Sequence, residues 1–272
     1  MRVLILGAGP AGLTAARTLR ELASSRSIDP AITMISAESF PPYSPPAMAD
    51  HLLTGREETL YWQGKGVCDR LRLDYRSATP VEAVYPEQRQ VLLQDARYLD
   101  YDKLIIATGG RLHAPLEGYD LPGVYNFKSL TAALELIDHV KHGDVKSVLI
   151  VGAGFIGVEV AVLLQALGCA VTIIEKQWLM PNILDEETAE LVRHDLEHRG
   201  IVVHEHTEAL RFSGKKRVKG VKLVNGEKLV AEAYVAATGV KPNISFLQGS
   251  GLDIGFGIRV DNRMRTNLPN IW

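Results

Sequence analysis

The chain carries one glycine pattern twice, and a chain built that way has little choice of fold. The first copy is Gly7-Ala8-Gly9-Pro10-Ala11-Gly12; the second is Gly152-Ala153-Gly154-Phe155-Ile156-Gly157. Each follows a short apolar run, Val3-Leu4-Ile5-Leu6 and Val148-Leu149-Ile150-Val151, of the kind that forms a buried parallel strand. Each opens a stretch with helical apolar spacing: Leu13, Ala15, Ala16, Leu19 and Leu22 in one, Val160, Ala161, Leu164 and Leu167 in the other. In such a strand–turn–helix unit the first glycine permits the tight turn. The second lets backbone approach a pyrophosphate, and the third lets the helix pack on the strand. Free N–H groups and the positive helix end then receive the phosphates. One copy is a weak signal, but two in this setting predict two dinucleotide sites in one chain.

The rest of the sequence repeats on the same plan. Each half runs strand, glycine turn, helix, strand, then a hairpin-rich stretch that closes on Ala-Thr-Gly. The first half has Val81-Glu82-Ala83-Val84 turning into Gln90-Val91-Leu92-Leu93, and closes at Ala107-Thr108-Gly109. In the second, Val218–Val224 pairs across Asn225-Gly226-Glu227 with Lys228–Ala231, and Ala237-Thr238-Gly239 closes it. A period of about 130–145 residues indicates a duplicated domain, not a solenoid. Helices are predicted over Leu130–Val140 and over Glu186–Arg199, the latter capped by Asp185 and stopped by Gly200. The strand Ile201-Val202-Val203 follows.

Composition narrows the function. At 272 residues there is material for two domains, and a net charge of −2 gives no basic field for nucleic acid or an anionic membrane. The basic cluster Lys215-Lys216-Arg217 beside Gly214 reads as a hairpin tip. No apolar run approaches the roughly 20 residues of a membrane span. The N-terminus enters a strand at Val3, so a signal peptide is not expected. Two distant cysteines, Cys68 and Cys169, suit a reduced cytoplasmic setting and read as small core residues. His194 and His198, or His204 and His206, have the spacing of half a metal site, but no further ligands accompany them and no metal is expected. No Ser-His-Asp or paired-carboxylate pattern stands out.

On these residues the chain resembles the pyridine-nucleotide-dependent flavoprotein reductases, nearest the NADH-dependent nitrite, ferredoxin and rubredoxin reductase group with the coenzyme A-disulfide reductases and NADH oxidases. The resemblance is carried by Gly7–Gly12, Thr108-Gly109, Gly152–Gly157 with Glu159, Glu175, and Thr238-Gly239. It implies an α/β fold of two Rossmann-like, three-layer dinucleotide-binding domains, each with a β-hairpin excursion, the NAD domain inserted in the FAD domain. The implied boundaries are 1–114 and 239–272 for FAD and 115–238 for NAD(P)H. FAD falls to Gly7, Gly9, Pro10, Ala11 and Gly12, and to Pro45, Ala107, Thr108 and Gly109. NAD(P)H falls to Gly152, Gly154, Phe155, Ile156 and Gly157, and the second Ala-Thr-Gly adds Thr238 and Gly239. The implied activity passes hydride from NADH to FAD and electrons on to a small redox protein, a partner subunit or a small molecule, in a longer form that is a candidate homo-oligomer. Two other readings stand beside it: a nucleotide-binding or regulatory subunit without turnover, and a flavin monooxygenase-type enzyme.

The chain departs from its resemblance in three places. Phe40-Pro41-Pro42-Tyr43-Ser44-Pro45-Pro46-Ala47-Met48 resembles the flavin-proximal loop, but Pro46 stands where the disulfide reductases have a redox cysteine. Ala49 stands where several ferredoxin reductases have a lysine that pairs with the glutamate matching Glu159. The sequence ends at Trp272, before the Ala-x-Gly-Asp segment whose aspartate contacts the flavin in the family. From this, weak FAD retention, an unpaired sheet edge and exposed apolar surface around Ile258, Val260 and Ile271 are expected.

Three acids are the site candidates. Glu175 ends the strand Val171-Thr172-Ile173-Ile174, 18 residues past Gly157, where the dinucleotide fold places the acid that accepts from the ribose 2′-hydroxyl. A carboxylate there favours NADH over NADPH, and adjacent Lys176 softens the preference. Glu38 is the looser counterpart for FAD, because Ser36 takes the strand-end position; a surface acid is the alternative. Glu159, one turn into its helix, is the catalytic candidate, which the resemblance implies lies near the flavin–nicotinamide junction; an acid favoured by the helix dipole is the alternative. Phe155 either covers the nicotinamide side or packs.

Overall fold

Strand β1 (Arg2–Leu6) is apolar on both faces because it lies in the middle of a sheet covered on both sides. In the computed structural model, which describes residues 1–272, the chain forms two units. The first comprises Met1–Pro45, Glu57–Arg111 and Lys241–Trp272; the second comprises Pro46–Arg56 and Leu112–Val240. Sequence reading leaves Pro46–Arg56 in the first unit. The structure groups it with the second, where helix α2 (Met48–Thr54) packs on α4 (Leu130–Lys141) and α5 (Phe155–Ala166).

In the first unit β1 pairs in parallel with β2 (Ala31–Ile35) and β7 (Lys103–Ile106), and β2 with β3 (Asp74–Arg76). One face carries α1 (Pro10–Ser25) and α3 (Val67–Arg70), packing Leu13, Ala16 and Val67 on Val3, Ile5, Ile32 and Met34. The other carries the antiparallel sheet β4 (Val81–Tyr85), β5 (Gln90–Leu93) and β6 (Tyr98–Asp100), with Val84, Val91 and Leu93 on Leu4, Leu6 and Leu104. Alternation along β1 therefore sends Val3 and Ile5 to the helices and Leu4 and Leu6 to the small sheet.

The expected open edge is corrected. Asn270–Trp272 runs beside β7: Leu104 N–H donates to the Asn270 carbonyl, Trp272 N–H to the Leu104 carbonyl, and Ile106 N–H to the Trp272 carbonyl. Ile271 is 2% exposed and part of the core, and Ile258 packs against it; only Val260 is exposed as expected. The apolar residue next to Trp272 faces the sheet, so a three-residue extended segment is enough to cover the β7 edge.

The second unit repeats this order. Strand β10 (Ser147–Val151) is flanked by β11 (Ala170–Ile174) and β16 (Ala233–Ala236), with β12 (Val202–His204) and β9 (Val124–Tyr125) outside, all parallel. The covering antiparallel sheet is β13 (Ala209–Gly214), β14 (Val218–Leu223) and β15 (Lys228–Leu229), from which Phe212, Val218, Val221 and Leu223 pack on Leu149, Val151 and Tyr234. Strand β13 was not expected, and β15 ends two residues earlier than the sequence reading; Lys215–Arg217 is the exposed turn between β13 and β14, as expected. Helix α6 (Glu186–His198) starts at Asp185, whose side chain accepts from Thr188 N–H at 2.8 Å. Short strands β8 (Gly110–Leu112) and β17 (Val240–Pro242) are where the chain leaves and re-enters the first unit, and they pair with each other. No helix is long and apolar enough to cross a membrane.

Candidate functional site

Each glycine turn is built from contacts that forbid larger residues at two of its positions and leave the third open. Gly7 has φ +104° and donates to the Ile35 carbonyl at 2.9 Å; a Cβ there would lie 2.2 Å from the Ala107 carbonyl oxygen. Gly152 has φ +103°, donates to the Ile174 carbonyl at 2.9 Å, and its Cβ would lie 2.7 Å from the Ala237 oxygen. A Cβ on Gly12 would meet the Gly7 oxygen at 2.0 Å, and one on Gly157 the Gly152 oxygen at 2.1 Å. The middle glycines differ. Gly9 and Gly154 cap their helices at φ −72° and −69°, ordinary for any residue, and nothing lies within 4 Å of where a Cβ would stand. Neither packing nor backbone conformation calls for glycine there, so the space suits a group the protein binds.

The helix ends carry the same message. Helices α4 and α6 satisfy their first N–H groups internally, through Ser129 (from Ala132 N–H, 3.2 Å) and Asp185. Helices α1 and α5 have no side-chain cap and no acidic residue in the first turn. Pro10 takes the first position of α1, where a missing N–H costs nothing. Pro10, Ala11 and Phe155 are exposed and Ile156 half-buried. Two uncapped positive helix ends, each over an open glycine, fit a pyrophosphate apiece.

The Ala-Thr-Gly segments support the turns from below. Ala107 N–H donates to the Leu6 carbonyl and Ala237 N–H to that of Val151, both at 2.8 Å, which brings their own carbonyls onto Gly7 and Gly152. In the first unit, Thr108 Oγ1 donates to the Asn243 carbonyl at 2.8 Å and Asn243 N–H to the Gly109 carbonyl at 2.9 Å. In the second, Thr238 Oγ1 donates to the His113 carbonyl at 3.2 Å and His113 N–H to the Gly239 carbonyl at 3.0 Å.

The acids fall in unequal surroundings. Glu175 sits on its glycine turn: Oε2 accepts from Ala153 N–H at 2.8 Å and Oε1 from Gln177 N–H at 3.2 Å. Glu38 lies in the loop after β2, where Tyr43 OH donates to its Oε1 at 2.8 Å and Ala78 N–H to its main-chain oxygen at 2.9 Å. Pro45 opens a 3₁₀ turn two residues after Tyr43. Glu159 is half-buried on α5 with no hydrogen bond or ion pair, and burial pushes its carboxyl pKa up. Both thiols are buried; burial raises Cys68 to about 11 and pushes Cys169 up, so neither supplies a thiolate near neutral pH.

The whole chain, residues 1–272, matches the pyridine nucleotide-disulphide oxidoreductase family. It belongs to that family, whose members are FAD- and NAD(P)H-binding oxidoreductases. It is 31% identical to the NADH oxidase of Methanocaldococcus jannaschii, over all of this chain and 62% of that protein. Its fold superposes with TM-score 0.88 on the NAD-dependent persulfide reductase from A. fulgidus, at 29% identity over all of this chain and 52% of that one. With the ferredoxin reductase for the CYP199A2 system from Rhodopseudomonas palustris the TM-score is 0.87 at 28% identity, over 99% of this chain and 66% of that one. The chain thus spans just over half to two thirds of these proteins' length.

The sequence reading missed two groups at the second turn. Met180 N–H donates to the Ala153 carbonyl at 2.9 Å, and Glu205 accepts from Leu179 N–H at 2.8 Å. Both act across the fold, and no local spacing marks either one.

Proposed function

We propose that this chain is the dinucleotide-binding part of an FAD-dependent NADH:acceptor oxidoreductase, with FAD on the first glycine turn and NADH on the second. The observation that carries the reading is the pair of open glycines, Gly9 and Gly154, each at an uncapped helix end. When bound, FAD takes the hydride of NADH and passes electrons to a second acceptor. The residues bind and orient. Backbone N–H groups at the starts of α1 and α5 hold the two pyrophosphates. Glu175, fixed by two backbone donors, accepts from the adenosine ribose 2′-hydroxyl and repels a 2′-phosphate, which favours NADH. Glu38, oriented by Tyr43, takes the same part for the FAD ribose. Glu159 lies on the helix that starts at the NADH turn, where burial favours its protonated form.

The acceptor we favour is a small redox protein, the class named by the ferredoxin reductase relative; the NADH oxidase and persulfide reductase relatives are named for other reactions. The buried, high-pKa thiols and Pro46 argue against thiol chemistry at the flavin. The setting we infer is cytoplasmic. The test is flavin and turnover together: the purified chain should take up FAD, bleach on adding NADH and reduce an artificial acceptor such as ferricyanide. A colourless chain that takes up no added FAD and shows no such activity would favour a nucleotide-binding subunit instead. Hydroxylation of a substrate at the expense of NADH would favour a monooxygenase.

A further inference from the structure

The turn that follows Glu175 is held by a carboxylate the proposed reaction does not use. Leaving β11, the chain folds back over the glycine turn through residues 176–184. Gln177 N–H serves Glu175, Met180 N–H serves the Ala153 carbonyl at 2.9 Å, and between them Leu179 N–H donates to Glu205 Oε1 at 2.8 Å. The Leu179 side chain is fully buried, and Met180 sits at φ +50°, a left-handed conformation that is costly for a non-glycine residue and persists only where neighbours enforce it. Glu205 shares that task with Trp178, whose Nε1 donates to the Leu184 carbonyl at 3.1 Å, and with His206 N–H, which donates to the Gln177 carbonyl at 3.0 Å; Glu205 is the one acid among them. It lies just past β12 with only 17% of its side chain exposed, and Arg193 Nε approaches its Oε2 at 3.3 Å, which helps to aim the carboxylate. The Ala153 peptide is in this way held on both sides, its N–H by Glu175 and its carbonyl by Met180.

We propose that Glu205 is a positioning residue for the second dinucleotide site: by holding the Gln177–Met180 turn it fixes the Ala153 peptide and the Glu175 carboxylate before a ligand arrives, and so sets the preference for a free ribose 2′-hydroxyl over a 2′-phosphate. This rests on the assignment of Glu175 as the ribose acid. If the turn relaxes, the Glu175 carboxylate loses the Gln177 donor and gains freedom to swing aside. The hydroxyl then loses a placed acceptor, and the 2′-phosphate loses a fixed repulsion.

The test is NADH and NADPH affinity by calorimetry in the parent and in Glu205→Ala, Glu205→Asp and Glu205→Gln, with melting temperature followed alongside. Glu205→Ala should weaken NADH about five- to tenfold, the scale of one ordinary hydrogen bond, and narrow the NADH/NADPH ratio by a similar factor. Glu205→Asp keeps the charge for Arg193 but is one methylene short of Leu179, so it should behave like Ala; it also carries the test if Glu205→Ala does not fold. Glu205→Gln keeps an oxygen for Leu179 N–H and should restore most of the ratio. A lowered melting temperature with an unchanged ratio in the Ala or Asp variant overturns the proposal, as does equal weakening of both nucleotides. A parent that binds NADH and NADPH equally overturns the Glu175 assignment and this proposal with it. A discriminating parent whose ratio survives Glu205→Asp overturns this proposal alone.

Discussion

The two units share strand order, glycine turn and covering sheet, yet they anchor these parts differently. In the first, α1 is tied down by a polar residue: Arg20, only 9% exposed, donates to the carbonyls of Leu71 (2.7 Å), Pro30 (2.8 Å) and Arg72 (2.6 Å) and to Asp29 (2.9 Å). In the second, α5 is held by apolar burial of Val160, Ala161, Leu163 and Leu164, and Gln165 stands at the repeat position of Arg20. At the glycine turns the contrast reverses. Ala153 is clamped by Glu175 and Met180, whereas Ser36 occupies the strand-end position in the first unit and the acid, Glu38, is engaged by Tyr43 in the loop beyond. A preformed turn spares a ligand the cost of ordering it. That suits a nucleotide that must exchange at every turnover, and in our reading the second site holds NADH.

The shared part of the comparison breaks most violently at the third glycines. Gly12→Ala and Gly157→Ala each push a Cβ to about 2 Å from a backbone oxygen, which cannot rotate away. Each should cost about 3 kcal/mol or more in chemical denaturation, overpacking at its upper end. A variant as stable as the parent would mean that helix and strand are not in this contact.

The next effect should appear in one unit only. Arg20→Ala leaves three main-chain carbonyls without their donor and should cost about 3–5 kcal/mol. Arg20→Lys should recover little of it, because one ammonium cannot reproduce the guanidinium fork. Gln165→Ala, at the matching place, should cost less than about 1 kcal/mol. Equal losses at both positions would erase the distinction between a polar and an apolar anchor.

What was legible in the sequence divides along the same line. The glycine turns, the Asp185 cap and the hairpin of β4 and β5 are local, with each residue's reason lying within a few positions of it. The anchors are not. Arg20 reaches Leu71 and Arg72, Glu205 reaches Leu179, and the edge partner of β7 is Asn270–Trp272. No spacing rule links such residues, so the sequence reading left the β7 edge open and missed the turn that holds Ala153. For the same reason the grouping of α2 is not legible: the Pro-rich loop before it reads as one piece, while its helix packs on α4 and α5.

The middle glycines separate binding from folding. Gly9→Ala and Gly154→Ala meet no neighbour and need no unusual φ, so melting temperatures without ligand should stay within about 1 °C of the parent, as for a surface substitution. Bound pyrophosphate should feel the methyl group. Gly9→Ala should weaken FAD alone and Gly154→Ala NADH alone, each by more than about tenfold, or 1.4 kcal/mol. If Gly9→Ala weakened NADH and spared FAD, the assignment of the two turns would be reversed.

A smaller effect tests the acids. Glu175→Ala should weaken NADH by about 1–3 kcal/mol and tighten NADPH, since a hydrogen bond is lost in one case and a repulsion in the other. Ser36→Ala, at the matching place in the first unit, should leave FAD affinity within about threefold, because Ser36 hydroxyl serves Glu38 N–H at 3.1 Å and brings no carboxylate to the glycine turn. Isothermal titration of each variant decides both. Equal affinity of the parent for NADH and NADPH would remove Glu175 from the site.

The smallest effect concerns Glu159 and carries a sign. Burial raises its carboxyl pKa, and no donor or cation in the fold offsets that. The folded chain therefore keeps this proton to higher pH than the unfolded chain does. As pH rises through the ordinary carboxylate range, near 4.3, toward the folded value, the unfolded state gives up its proton first and stability falls. The penalty is absent well below that range and complete once pH exceeds the folded value. Glu159→Gln removes it, so the variant should melt about 1–3 °C above the parent near pH 7, and the two curves should converge by about pH 4. Ala49→Lys offers a second route to the same end. Ala49 lies on α2, which packs on α5, and the family resemblance implies a lysine at this position paired with the glutamate matching Glu159. A lysine within reach would stabilise the charged form, lower the Glu159 pKa and flatten the pH dependence without removing the carboxyl. A Glu159→Gln variant that melts below the parent near pH 7 would show instead that the charged carboxylate has support in the fold, and the burial argument would fail.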